Sequence, residues 1–149
     1  MMKFLSFVVL VFAASAGAQE IERINPAGMT QPTNYSHLVK YDKLMFIAGQ
    51  ISIDGDGNVV GEGDMGAQFR QVLENLKKIL ASEGADFSNV VKINIFTTDV
   101  DSLRQHLDIR GEYFVEFAPA STLVQIDRLA RPVYLLEIEA IAIAPDKGE

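Results

Sequence analysis

The chain has 149 residues, a formal net charge of −7, a sequence pI near 4.8, no cysteine and two histidines. That length fits one domain. The acidic balance disfavours phosphate-rich partners, and no Lys/Arg stripe interleaved with aromatics is present, which argues against nucleic-acid binding. Without cysteine there is no disulfide or thiolate metal site, and His37 and His106 have no metal-ligand spacing, so a metal enzyme is not expected.

The N-terminus reads as an address. Lys3 is followed by the apolar run Phe4 to Ala14 and the small residues Ser15-Ala16-Gly17-Ala18. A run of about eleven residues falls short of the ~20 that span a bilayer as a helix. Ala16-x-Ala18 suits a signal peptidase. Residues 1–18 are therefore expected to be a cleaved signal peptide and 19–149 a single domain starting at Gln19. The product is exported, periplasmic or secreted, and keeps no stable membrane anchor.

Residues 19–34, with Pro26, Gly28 and Pro32, read as an irregular arm. Ser36 to Tyr41 and Leu44 to Ile51 read as strands, the second apolar enough for burial on both faces. Asp54-Gly55-Asp56-Gly57-Asn58 is a turn by its chemistry. Its acidic spacing hints at a calcium loop, but the glycine and twelfth-position glutamate of an EF-hand are missing. Met65, Phe69, Val72, Leu73, Leu76, Ile79 and Leu80 recur at the helical period, with Asp64 as N-cap and Gly84 as stop. Gln68, Arg70, Glu74, Lys77 and Lys78 read as the solvated face of that helix.

Val90 to Phe96 alternates as a strand, with Val91, Ile93 and Ile95 on one side. A second helix is expected from an Asp101 cap to about Phe117, with His106 on its exposed part and Pro119 ending it. Strands follow at Thr122 to Ile126 and Tyr134 to Ile143. The order β-β-α-β-α-β-β describes an α+β domain, an α/β sandwich of one mixed sheet with two helices on one face. The strands are too apolar for the other face to meet water, so a homo-oligomer is expected to cover it.

These elements carry short motifs: Ile47-Ala48-Gly49-Gln50-Ile51, Pro119-Ala120-Ser121-Thr122-Leu123-Val124, and Leu136-Glu137-Ile138-Glu139-Ala140-Ile141-Ala142. With Tyr35, they resemble the Rid (YjgF) family over about Asn25 to Ala144. Its typical members deaminate reactive imines and enamines. The resemblance implies a chorismate-mutase-like fold and a homotrimer with small-molecule pockets at the subunit interfaces, and no cofactor or metal. It implies that Glu137, with a nearby backbone carbonyl, positions the attacking water, and that Tyr35, Ala48, Gly49, Arg110, Ser121, Thr122 and Leu123 contact the ligand. The family's serine before the strand glycine is Ala48 here. An asparagine on the second helix corresponds to Arg110. The family's arginine, which holds the substrate carboxylate, is Ser121.

Imine hydrolysis needs a placed water and a group that moves protons between water and nitrogen. A carboxyl with a raised pKa does both. Glu137 and Glu139 share a strand face, so Glu137 either enters a pocket, faces solvent or pairs with a lysine across the sheet. Ser121 offers one neutral donor in place of a guanidinium fork. Arg110, Arg128 or Arg131 could supply the missing cation, or the ligand lacks a carboxylate, so a simple 2-imino acid is not the expected substrate. Two functions follow: a hydrolase of small imine- or enamine-type compounds, or a non-catalytic trimeric module that binds a small ligand or a protein.

Overall fold

The computed structural model describes residues 20–146. The expected leader at 1–18 and the expected first residue Gln19 lie outside the described residues. Six strands form one sheet: β1 Ile21–Ile24, β2 Leu38–Tyr41, β3 Leu44–Gln50, β4 Val90–Thr97, β5 Ala120–Gln125 and β6 Leu136–Ile143. Their spatial order is β1-β2-β3-β6-β4-β5, and every pairing is antiparallel except β4 with β5. Three helices, α1 Met65–Ser82, α2 Val100–Arg104 and α3 Leu107–Tyr113, complete the fold.

The predicted stripe of α1 is its buried side. Phe69, Val72, Leu73, Leu76, Ile79 and Leu80 pack on Leu38, Met45, Ile47, Ile93, Ile95, Leu136 and Ile138 of the sheet. Asp64 caps the helix by accepting from Ala67 N at 2.9 Å. Gly84 stops it at φ 72°, with Ala85 N donating to Leu80 O and Gly84 N to Ala81 O. That pair of bonds is a Schellman motif, which requires the left-handed backbone that glycine adopts without strain.

Several expectations need correction. The arm at 19–34 contains β1, an exposed edge strand whose Glu22 reaches the buried Lys40 at 3.0 Å. The single helix expected over 101–117 is two short helices. Asp99, not Asp101, caps the first by accepting from Ser102 N at 2.9 Å. The chain turns at Gln105 and His106 so that Leu103 and Ile109 both reach the core. His106 is not on an open helix face. Its ring packs against Gly66 of α1, where an added Cβ would fall 2.9 Å from Nδ1 and push the ring aside.

Val91 is not in line with Ile93 and Ile95. The register between β4 and β6 shifts between Val90 and Lys92, and Val91 is the exposed extra residue of this bulge. Gln68 is not on a solvated face. It is fully buried, donates to Gly61 O at 3.1 Å and Val133 O at 2.9 Å, and accepts from Leu135 N at 2.9 Å. A buried amide at this point satisfies three backbone groups that would otherwise be stranded, and it ties α1 to the start of β6.

Alternation splits β6 into two sides. Leu136, Ile138, Ala140 and Ala142 lie under the helices, and Glu137, Glu139, Ile141 and Ile143 face the other way. On that second face no helix covers Ile21, Tyr41, Leu44, Phe46, Val124 or Ile143, all of them exposed.

Candidate functional site on the open sheet face

The register arranges the open face in rungs. Glu137 stands opposite Phe96, which stands opposite Val124. The next rung is Glu139, Asn94 and Thr122, and the next Ile141, Lys92 and Ala120. Side-chain bonds confirm that these residues share a face. Asn94 Nδ2 donates to Glu139 Oε1 at 2.7 Å, and Lys92 Nζ donates to Thr122 Oγ1 at 2.6 Å. A cavity of about 170 Å³ opens here, lined by Phe46, Lys92, Asn94, Glu139 and Ile141.

Glu137 is the free carboxylate of this face. The ion pairs among the described residues are Lys40 with Glu22 and Glu83, Lys43 with Asp146, Arg70 with Glu112 and Arg104 with Asp101. None engages Glu137, so no lysine partners it across the sheet. Burial first, and the charge of Glu139 second, push its carboxyl up from the ordinary glutamate value.

The seat of that carboxyl is Gly49. A Cβ on residue 49 would fall 1.8 Å from Glu137 Oε1 and 2.7 Å from its Cδ. The close approach is possible because β3 shifts register against β6 between Ile47 and Gln50, placing Ala48 and Gly49 in an irregular step. Ala48 is anchored there by its N–H donating to His37 O at 3.0 Å, and its own carbonyl accepts from Gln50 Nε2 at 2.8 Å. Tyr35, 51 % exposed, stands edge-on to the buried His37 ring, 5.6 Å between centroids. Tyr35, Ala48, Gly49 and Glu137 therefore belong to one end of adjoining elements.

The remaining candidates go elsewhere in the protomer. Thr122 is on the open face, one rung beyond that of Glu137. Ser121 and Leu123 stand opposite Ile93 and Ile95, both buried, and so project to the helix side. Leu123 packs on the core. Arg110 stacks its guanidinium over Phe114, 5.6 Å from the ring centre, also on the helix side. Arg131 donates to Tyr134 Oη at 3.2 Å and lies over that ring, and Arg128 is exposed. One protomer does not gather the expected ligand contacts into a single pocket.

A larger cavity, about 500 Å³, is on the helix side between α1 and residues 112–117, away from Glu137. Its acids are exposed, as Glu116 is, or bonded, as Glu112 is to Arg70 and Glu74 is to Tyr113, and no glycine lines it. Among the described residues no group of three or more His, Asp or Glu could hold a metal ion. Asp54 of the acidic turn spends its carboxylate on Asp56 N and Asn58 N of its own loop. His37 and Gln50 went unnoticed as site residues. Gln50 stands in the motif Ile47-Ala48-Gly49-Gln50-Ile51, whereas His37 had only its polarity beside an apolar strand as a signal.

One mixed sheet with helices on a single face defines an α+β fold, and the unpaired carboxyl on the other face marks a candidate acid site. The profile of the family described as Endoribonuclease L-PSP matches residues 27–144. The chain belongs to this family, the Rid (YjgF/RutC) family. It is 41% identical over 108 residues to a RutC family protein of Pyrococcus horikoshii, covering 72% of this chain and 85% of that one. It is 33% identical over 109 residues to human 2-iminobutanoate/2-iminopropanoate deaminase, covering 73% of this chain and 79% of the human one. The crystal structure of YyfA, a Rid family protein from Yersinia pestis, superposes with a TM-score of 0.77 at 31% identity, covering 83% of this chain and 99% of that one.

Proposed function

We propose that this protein is an exported hydrolase of small imine- or enamine-type compounds, working as a homotrimer with Glu137 directing the attacking water. The observation that carries the reading is the unpaired, half-buried carboxyl of Glu137 resting on Gly49. As a carboxylate it takes a proton from water while the water oxygen bonds to the imine carbon. As a carboxylic acid it returns that proton to nitrogen, giving a carbinolamine; the carboxylate then takes the carbinol O–H proton and passes it to the amino nitrogen, so ammonia leaves as the carbonyl forms. Burial raises the proton affinity of the carboxylate, which strengthens it as the base toward water.

Two features support the trimer. The open face leaves six large apolar side chains uncovered. The expected ligand contacts are divided between the two faces of one protomer, so a site that uses all of them needs a neighbouring copy. Export rests on the leader-like residues 1–18. The intact mass of protein recovered outside the cytoplasm is expected to correspond to a chain beginning at Gln19, and a mass retaining residues 1–18 would refute cleavage there. A nuclease reading is disfavoured by the net charge of −7.

Ser121 sets the substrate apart from a simple 2-imino acid, because a hydroxyl cannot grip a carboxylate as a guanidinium fork does. The test generates 2-iminopropanoate with an amino acid oxidase and follows semicarbazone formation. Wild-type protein is expected to lower the semicarbazone signal weakly or not at all, and Ser121→Arg to lower it strongly. Strong competition by the wild type would refute this reading of Ser121. The second reading, a non-catalytic trimeric module that binds a small ligand or a protein, is favoured by the same serine. It predicts no turnover of any imine or enamine, with ligand retention unchanged in Glu137→Gln.

A further inference from the structure

We propose that His37 is a positioning residue for the Glu137 site, setting the Ala48–Gly49 step and the Tyr35 loop through a single neutral tautomer. Its activity consequences rest on the proposed hydrolase reading, whereas its structural consequences do not.

The ring is 3 % exposed. Nε2 lies 2.9 Å from Thr30 O, and a carbonyl oxygen only accepts, so Nε2 carries the hydrogen and donates. Nδ1 is then an acceptor, and it faces Gln50 Nε2 at 3.4 Å. Gln50 is equally buried, and the same amide nitrogen donates to Ala48 O at 2.8 Å. Its two hydrogens thus go to His37 and to the peptide preceding Gly49.

The backbone of residue 37 adds two ties. His37 N donates to Asn25 Oδ1 at 2.9 Å, and His37 O accepts from Ala48 N at 3.0 Å. Tyr35 stands against the ring with its plane at 79°. One side chain therefore links the 25–37 loop, the rim tyrosine and the strand step on which the Glu137 carboxyl rests. The opposite tautomer, or a doubly protonated ring, would point Nδ1–H at the Gln50 amide hydrogens. That arrangement repels, and it loosens the hold on Ala48.

Space filling alone predicts that any residue of similar volume serves. Positioning predicts that the acceptor matters. Asparagine retains an oxygen near the Nδ1 position, whereas leucine fills space without one. His37→Leu is expected to lower kcat about a hundredfold, the scale of an ångström-sized displacement, with little change in KM. His37→Asn is expected to recover most of that loss.

The structural arm needs no substrate. Long-range proton–nitrogen spectra of the wild-type ring at neutral pH are expected to show hydrogen on Nε2 and none on Nδ1. The backbone amide of Gly49 is expected to resonate near its wild-type position in His37→Asn and to move in His37→Leu. A hydrogen on Nδ1 at neutral pH, or equal Gly49 shifts in the two variants, would overturn the proposal. If the wild type turns over no imine or enamine, the hydrolase reading fails while the spectra still decide the role of His37.

Discussion

Glu137→Gln is expected to lose turnover by about a hundredfold to ten-thousandfold, the usual contribution of general acid–base catalysis, while becoming more stable at neutral pH. The substitution keeps size and shape and removes the proposed proton-transfer group. Its stabilising effect follows from linkage. The folded protein holds the Glu137 proton more tightly than the unfolded chain does, because burial and Glu139 oppose the charge. The stability this group contributes is complete below the unfolded glutamate value of about 4.3 and is lost as pH rises through the raised folded value. At pH 7 the wild type therefore carries an uncompensated charge that glutamine lacks. Thermal unfolding at pH 7 is expected to give the variant the higher Tm, with the gap closing as pH falls below the carboxylate range. A variant less stable at pH 7 would mean that the carboxylate has a structural partner, and the catalytic reading would lose its basis.

Gly49→Ala is expected to cost as much activity as Glu137→Gln while leaving the fold nearly as stable as the wild type. The added methyl lands 1.8 Å from Glu137 Oε1, inside any allowed contact. What must yield is the end of a flexible, half-exposed side chain, not backbone or core, so the carboxyl swings away at small energetic expense. Gly49 does not have a positive φ, so alanine brings no backbone strain there. The result is an intact protein whose acid is out of place, measured as lost turnover beside an almost unchanged unfolding midpoint. A variant with normal activity would show that the carboxyl does not work from the Gly49 seat.

Much of this was legible in the sequence where a pattern repeats. The α1 stripe, its Asp64 cap and its Gly84 stop needed only helical spacing and capping chemistry. The alternation of Leu136, Ile138, Ala140 and Ala142 against Glu137 and Glu139 fixed which side of the last strand carries the carboxylates. The need for something to cover the second sheet face followed from apolar strands and a shortage of helices.

What was hidden depends on partners distant in sequence. Nothing within Ile21–Ile24 marks it as a strand, since its support comes from pairing with Leu38–Tyr41. Gln68 occupies a polar position on a helix, and only the stranded groups of residues 61, 133 and 135 make it a core residue. The turn at Gln105–His106 has no glycine or proline to mark it. Ser121 and Thr122 sit side by side without alternation, so their split between two faces came from pairing with Ile93 and Asn94. His37 looked like an isolated histidine until the tertiary fold brought Thr30 and Gln50 to its two nitrogens.

β6 runs through the middle of the sheet, hydrogen-bonded to β3 on one side and β4 on the other. A slip of one residue in its pairing would drive both glutamates beneath α1 and lift four apolar side chains into the open. The proposed acid is thereby carried on the segment whose misalignment the rest of the molecule tolerates least, so folding itself decides which way Glu137 points.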